Sequence, residues 1–153
     1  MHSKDESFST FINFNGDCGE ALEFYAKVFD AQIGAKMTYG QMPQNPEDPM
    51  PAEFADKIMY SALKIAGSVV MFSDVPPGTD HVTGTNVILN IRSADESDIK
   101  KWYNGLQAGG EVITELGPTF FAKQYAMVAD KFGLCWNLLL QEGDFPMEAS
   151  FNI

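Results

Sequence analysis

Few side chains in this sequence stand where acid–base or nucleophilic chemistry could be carried out. Asp74 follows an apolar strand-like segment and Asp130 precedes a glycine turn, so either carboxylate could act as a general base. Turn formation and capping explain both aspartates without catalysis. Cys18 lies at a predicted helix start, where a thiol pKa can be lowered, and the alternative is a partly buried structural cysteine. The catalytic residues are therefore left unassigned.

Metal and disulfide chemistry also has few side chains to use. The only histidines are His2, in a polar N-terminal stretch, and His81, in a link rich in proline and glycine. Such positions do not favour a structural or catalytic metal. The two cysteines, Cys18 and Cys135, form neither a CxxC motif nor a disulfide framework. We therefore predict no metal, no cofactor and two reduced thiols, which are typical of the cytoplasm.

The elements that carry these residues form one pattern that occurs twice. Residues 11–14 resemble a strand and run into an amphipathic helix at 20–29, and residues 86–91 run into a second helix that ends near Leu106. Three more strand candidates follow each helix, the last after a glycine turn. This order predicts two βαβββ modules and an α+β fold. The later strand candidates are residues 32–39, 57–65, 68–73, 111–116, 124–129 and 135–141.

Both helices begin with residues whose spacing favours capping. Asp17 with Glu20 fits a capping box, and Ser93 with Glu96 repeats the spacing. A module of this kind cannot bury its apolar face alone, so we expect two copies to cover each other and to leave a ligand site at their seam. The apolar stripes are Ala21, Phe24, Tyr25 and Val28 in the first helix and Ile99, Trp102, Tyr103 and Leu106 in the second.

The length of 153 residues predicts a single domain. We place its first module at residues 8–74, its second at 84–141 and a C-terminal tail at 142–153. Residues 41–51 interrupt the first module with four prolines and two methionines. This segment is either a lid beside a cavity or a passive connection.

The charge of the chain excludes several classes of partner. A formal net charge of -11 argues against non-specific nucleic-acid binding, which needs clustered Lys and Arg, and against docking on anionic lipid. No segment approaches the ~20 apolar residues of a membrane-spanning helix. Residues 1–7 are polar and lack the apolar run of a secretion signal. We therefore predict a cytoplasmic protein with neither a nucleic-acid nor a membrane partner.

An ordered set of short segments resembles a known family. The set extends over residues 10–141 and resembles the PhnB-like branch of the vicinal oxygen chelate superfamily, which includes glyoxalase I, extradiol dioxygenases and bleomycin-resistance proteins. Members of this branch often carry the label 3-demethylubiquinone-9 3-methyltransferase. The resemblance implies two βαβββ modules that form a curved mixed sheet around a cleft, in a homodimer. The segments are Asn15-Gly16-Asp17-Cys18, Glu20-Ala21-Leu22-Glu23-Phe24-Tyr25, Tyr39-Gly40-Gln41-Met42-Pro43, Ile65-Ala66-Gly67, Met71-Phe72-Ser73-Asp74 and Asp130-Lys131-Phe132-Gly133 followed by Trp136.

Metal-using relatives in this superfamily hold one divalent ion with His and Glu or similar groups. The resemblance places Thr10 or Asn13, Met71, Asn86 and Asn137 at the corresponding positions. None of these is a histidine or a carboxylate, and neutral groups provide little charge to a divalent cation. Two further positions, which can be histidine in the PhnB-like branch, are Tyr60 and Lys123 here.

The resemblance also suggests which residues line the cleft. Aromatic rings offer stacking faces and asparagines offer paired donors and acceptors, a combination that suits a planar or amphipathic organic ligand. The alternative is that the aromatic residues are ordinary core. The predicted cleft residues are Asn13, Tyr60, Phe72, Asn86, Phe121, Lys123, Tyr125, Trp136 and Asn137.

Three functions remain open. The first is a small-molecule-binding protein with a metal-free cleft, and the second is a metal-dependent lyase or dioxygenase of the same superfamily. The third is a methyltransferase of quinone biosynthesis, as the family label suggests. The common class of methyltransferase holds its cofactor on a strand, a glycine-rich turn and a helix start, and no GxGxxG motif is present.

Overall fold

The computed structural model describes residues 6–142 and divides into two compact units. The first unit ends at Val82 and the second begins at Thr83. Each contains one mixed four-stranded sheet and one long helix, which confirms the predicted α+β class and the two similar modules. Of the predicted tail, residues 143–153 lie outside the described residues, as does His2. In the described part, no helix is long and apolar enough to cross a membrane.

The first module has the strand order β1-β4-β3-β2. The first strand runs parallel to the last, and the other neighbours are antiparallel, because the helical crossover returns the chain to the same end of the sheet. Its elements are β1 at Thr10–Phe14, α1 at Cys18–Phe29, β2 at Ile33–Thr38, β3 at Ile58–Ile65 and β4 at Ser68–Asp74.

The second module repeats this topology with the order β5-β8-β7-β6. Its outer pair β5 and β8 is again parallel. The predicted strand at 86–91 is shifted, since β5 starts at Ile88. The elements are β5 at Ile88–Ser93, α2 at Glu96–Gln107, β6 at Glu111–Gly117, β7 at Gln124–Ala129 and β8 at Cys135–Leu140.

Each helix packs its predicted apolar stripe on its own sheet. In α1, Tyr25 is fully buried and stacks on Phe72 of β4, with ring centroids 5.7 Å apart. In α2, the residues Ile99, Trp102 and Leu106 are buried, and the helix contacts all four strands of its sheet. The two stripes therefore provide the core of each module.

The helix starts are held by residues other than those predicted. Within residues 6–142, Asp17 makes no side-chain capping hydrogen bond. The carboxylate of Asp74 accepts from the backbone N–H groups of Gly16 and Cys18 at 2.8 and 3.0 Å. In α2 the cap is Asp95, whose carboxylate accepts from the Ser97 N–H at 2.8 Å. Both predicted capping boxes were therefore wrong in the residue that does the capping.

Residues 39–57 form a loop that is closed at its base. The N–H of Tyr39 donates to the carbonyl of Lys57, and the N–H of Gly40 donates to that of Ala55, both at 2.9 Å. The hydroxyl of Tyr39 is buried and donates to the backbone carbonyl of Asp74 at 2.8 Å. The proline-rich part, residues 41–51, is largely exposed beyond this base.

Candidate functional site

Each sheet has a face covered by its helix and an opposite face, which we call the open face. In sheet 1 the side chain of Phe72 meets α1, so its neighbours Met71 and Ser73 point to the open face. In sheet 2 the fully buried Leu138 lies on the helix side, so Asn137 points to the open face. Ligand-binding residues of a sheet scaffold are expected on such a face, where side chains are accessible and their strands are rigid.

The open face of sheet 1 combines a polar pair with exposed apolar side chains. The hydroxyl of Ser73 donates to Asn13 Oδ1 at 2.8 Å, and these residues are register partners on β4 and β1. Tyr60 lies on β3 opposite Met37 of β2, and their exposed fractions are 36% and 42%. Phe11 is 48% exposed beside Met71. The surface is amphipathic, and the exposed Lys64 of β3 adds a positive charge on the same side.

A histidine lies at the edge of this face. Nε2 of His81 is 3.0 Å from the backbone carbonyl of Asn13. A carbonyl can only accept, so this contact requires the proton on Nε2. His81 thereby ties the end of the first unit to β1.

The open face of sheet 2 has a second polar pair beside aromatic rings. The hydroxyl of Tyr125 donates to Asn137 Oδ1 at 2.9 Å. The ring of Phe121 meets that of Tyr125 edge to face, with centroids 5.2 Å apart. Three predicted site residues, Phe121, Tyr125 and Asn137, are therefore neighbours in the structure.

Four of the other predicted site residues lie elsewhere. Phe72 is fully buried under α1. Trp136 is 3% exposed on the helix side, and its indole N–H donates to Asp130 Oδ2 at 2.9 Å. Asn86 precedes β5 in an exposed bend. Lys123 is exposed beside β7 and pairs with Glu142 at 2.9 Å. Strand alternation places Phe72 and Trp136 in the core because each shares the side of its strand with a buried neighbour.

Two polar residues of β5 are on the open face and were missed. Asn90 is the register partner of Asn137, and Arg92 is the register partner of Leu139. Their side is opposite to that of the buried Ile91. The alternation of apolar and polar residues from Leu89 to Arg92 was a sequence signal for this placement.

The two aspartates considered as bases are both buried and structural. Asp74 Oδ2 accepts from the Ile58 N–H at 2.8 Å, in addition to the two bonds at its other oxygen. Asp130 Oδ1 accepts from the N–H groups of Phe132 and Leu134 at 2.9 and 3.1 Å. Asp74 is 1% exposed and Asp130 is 4% exposed, so neither carboxylate is accessible to a ligand on an open face.

Cys18 is a buried thiol rather than an activated one. It is fully buried at the start of α1. Burial and, to a lesser extent, the nearby Asp74 carboxylate together raise its pKa to about 12. A thiolate is the reactive form of cysteine, so the neutral thiol at this position packs and does not act as a nucleophile. The suggestion that the pKa of Cys18 is lowered at the helix start is therefore wrong.

A divalent metal of the kind used by the superfamily does not fit the residues present. Of the two candidates on β1, Asn13 is on the open face and Thr10 is on the other side. The predicted ligand positions on the open faces, Asn13, Met71 and Asn137, offer amide and thioether groups, which provide no negative charge to a hard cation. Among residues 6–142, no group of three or more His, Cys, Asp or Glu is arranged to hold a metal.

The comparisons with known proteins establish the family. A family model described as 3-demethylubiquinone-9 3-methyltransferase matches residues 6–139. The chain therefore belongs to this family and to the vicinal oxygen chelate superfamily, as the sequence resemblance predicted.

Individual relatives agree with this assignment. Protein YjdN of Escherichia coli K12 is 31% identical over 135 residues, covering 84% of this chain and 90% of that protein. The structure of protein PA1353 from Pseudomonas aeruginosa has a TM-score of 0.78 at 27% identity, covering 88% of this chain and 97% of that chain. The fosfomycin resistance protein FosX from Listeria monocytogenes has a TM-score of 0.62 at 12% identity, covering 92% of this chain and 96% of that chain. The last likeness shows the fold alone.

Proposed function

We propose that this protein binds a small planar or amphipathic organic molecule on its open faces, without a metal ion. The observation that carries the proposal is the chemistry of these faces. Each has a neutral hydrogen-bonded pair, Asn13–Ser73 or Tyr125–Asn137, beside exposed aromatic or thioether side chains. Amide and hydroxyl groups orient a ligand, and the apolar groups contribute the area that it buries.

The test is a thermal-shift titration of the full chain with neutral, anionic and cationic aromatic compounds. A ligand that binds only the folded state raises the melting temperature, and the rise grows with the logarithm of its concentration above the Kd. Tyr125→Phe should weaken the response because it removes the hydroxyl that holds Asn137 Oδ1. If every organic class leaves the melting temperature unchanged while a divalent cation raises it, the proposal is wrong.

The second candidate is a metal-dependent lyase or dioxygenase, which the superfamily membership favours. Elemental analysis of protein purified without a histidine tag separates it from the first candidate. Stoichiometric iron, manganese, zinc or nickel would support a metal enzyme. Metal content below a tenth of the protein concentration would support metal-free binding.

The third candidate is a methyltransferase of quinone biosynthesis, which the description of the family model favours. Titration calorimetry with S-adenosylmethionine tests it directly. Saturable binding would support this candidate, whereas no heat of binding at millimolar cofactor would remove it.

The proposed assembly is a homodimer in the cytoplasm with a small-molecule partner and no nucleic-acid partner. Large apolar side chains that are exposed in the single chain, including Phe8, Val69 and Val87, support self-association. Both cysteines are free and buried, which is compatible with a reducing compartment. Light scattering after size-exclusion chromatography measures the mass, and a mass of one chain at all concentrations would contradict the dimer.

A further inference from the structure

A cavity of about 570 Å³ lies at one corner of module 1, where the connection from α1 to β2 meets the turn between β3 and β4. Its wall is formed by residues 29–34 on one side and by residues between Ala62 and Val69 on the other. Ligand pockets of proteins have volumes of about 300–1,000 Å³. The cavity is therefore large enough to hold a small organic molecule.

The strand on one side of the cavity departs from regular pairing. Ile33 and Ala35 of β2 are in register with adjacent residues of β3, Leu63 and Ala62. Gly34 between them is therefore an extra residue, which makes a β-bulge in the wall of the cavity. Bulges of this kind are enriched at sheet edges and next to functional sites, where they redirect the chain.

Two turns of the wall contain residues with left-handed backbone. Asp30 at the end of α1 has a φ of 49°, and Ala66 in the β3–β4 turn has a φ of 47°. Such values are uncommon for residues other than glycine, and they cluster at ligand sites. The cavity is thus bounded by a bulge and two special turns.

The wall carries one side chain of each charge. The Asp30 carboxylate and the Lys64 ammonium are both exposed at the cavity. Among residues 6–142, neither side chain forms an ion pair or a hydrogen bond, so the two charges stand apart and are available to a ligand. The other charged residues of α1, β2, β3 and β4 are not in the wall, and they are Glu20, Glu23, Lys27, Lys36 and Asp74.

Accessible apolar side chains lie beside these charges. Val69 is 51% exposed and is the register partner of Lys64. Phe29 is partly exposed, and its ring is held by stacking on Tyr25 with centroids 6.5 Å apart. Leu63 is only 1% exposed, so a ligand would contact Val69 and Phe29 instead.

We propose that this cavity is a second ligand site and that it binds a small zwitterion with an apolar body, of the amino-acid or dipeptide class. The ligand carboxylate pairs with Lys64, its ammonium pairs with Asp30, and its apolar side chain packs on Val69 and Phe29. A zwitterion has no net charge, so the net charge of -11 does not repel it as it would an anion.

This site goes beyond the proposed function because it is distant from both polar pairs described above. Val69 and Ser73 are four positions apart on β4, which corresponds to about 13 Å along the strand. The Tyr125–Asn137 pair belongs to the other module.

The experiment is an NMR titration of the isotopically labelled full chain with leucyl-leucine. The matched probes are N-acetyl-leucyl-leucine, which lacks the ammonium, and leucyl-leucinamide, which lacks the carboxylate. We expect amide signals of residues 29–34 and 62–69 to shift with the dipeptide. Each blocked probe should bind about two- to fivefold more weakly, since an exposed ion pair contributes this much.

Variants test the role of each charge. Lys64→Gln should remove the preference for a free carboxylate, and Asp30→Asn should remove the preference for a free ammonium. Asparagine tolerates left-handed backbone, so Asp30→Asn retains the turn. Lys36→Gln is the matched control, because Lys36 is an exposed lysine of β2 outside the wall, and it should leave both preferences unchanged.

The outcomes separate this site from the proposed function. Equal affinity for the three probes, or no saturable shift at millimolar dipeptide, would overturn the zwitterion site and leave the aromatic titration on the open faces as it stands. Shifts centred on Asn13 and Ser73, or on Tyr125 and Asn137, would overturn the second site and support the open faces as the only binding surface tested. If a variant does not fold, the ratios of the three probes on the unmodified chain decide.

Discussion

The two modules have the same strand order but secure the start of their helices in different ways. In module 1 the carboxylate comes from Asp74, at the end of the last strand, and it joins the β1–α1 loop to the start of β3. In module 2 the carboxylate is that of Asp95, the residue immediately before the helix. One device is buried and long-range, and the other is exposed and local.

The difference shows that this topology requires a satisfied helix start but does not fix the residue that satisfies it. A long-range acceptor couples helix formation to closure of the sheet, because Asp74 reaches its position only when β4 pairs with β1. A local cap forms with the helix itself. We therefore expect module 1 to be the more cooperative and the more sensitive to loss of its acceptor.

The largest effect should come from Asp74→Ala. The substitution leaves three N–H groups, those of Gly16, Cys18 and Ile58, without their acceptor in a buried site. Loss of bonds to a charged group of this kind costs about 3 kcal/mol or more. Urea unfolding followed by circular dichroism measures the free energy of unfolding. A loss equal to that of Asp95→Ala would contradict the proposed difference between the modules.

Glycine substitutions compare close packing in the two sheets. A side chain at Gly110, just before β6, would collide with the backbone carbonyl of Ala129, whereas one at Gly34 of β2 would sit 3.8 Å from that of Ala62. We expect Gly110→Ala to reduce the free energy of unfolding by about 1–3 kcal/mol. Gly34→Ala is the matched control and should be close to neutral. Equal losses in the two variants would contradict the closer packing of the backbone around Gly110.

Asp95→Asn should have a smaller, pH-dependent effect. Hydrogen bonds from Ser97 lower the pKa of Asp95 below its ordinary value of 3.8. A lowered pKa in the folded state means that the carboxylate stabilises the fold above the ordinary pKa and loses this effect as pH falls through the folded pKa. The difference in urea midpoint between Asp95→Asn and the unmodified chain should therefore be present at pH 7 and decrease below pH 4. A difference independent of pH would contradict the role of charge.

The smallest effect should be seen in thiol reactivity. In a Cys135→Ser background, Cys18 is buried with a raised pKa. Iodoacetamide should therefore label it far more slowly in the folded chain than in the unfolded chain, at pH 7 and at pH 9 alike. Labelling in urea provides the reference rate. A rate in the folded chain that is close to the urea rate at the same pH would indicate an accessible thiol.

Much of the fold followed from local patterns. The periodicity of Ala21, Tyr25 and Val28 fixed the buried side of α1, and the order of elements fixed the repeat. The capping of α1 had no local signal, since Asp74 and Cys18 are 56 residues apart. Asp74 is close to the helix start only in the folded sheet, so the sequence pointed to the adjacent Asp17, which does not cap the helix.

The site was harder to predict because a shift of one residue along a strand moves a side chain to the other face of the sheet. Tyr125 and Asn137 share a face, but Phe72 and Trp136 face the helices, where large aromatic residues are buried. In β5 the resemblance directed attention to Asn86, whereas Asn90 is the residue in register with Asn137.

The closed base of the 39–57 loop has a consequence for how this scaffold can change. The bonds from Tyr39 and Gly40 to the far end of the loop hold its two ends together independently of the segment between them. Doubling the length of a flexible loop costs only about 0.6 kcal/mol in closure entropy. New or longer sequences can therefore be exchanged at this position at little cost to the sheet, which makes it the natural point at which the protein could diversify or be engineered.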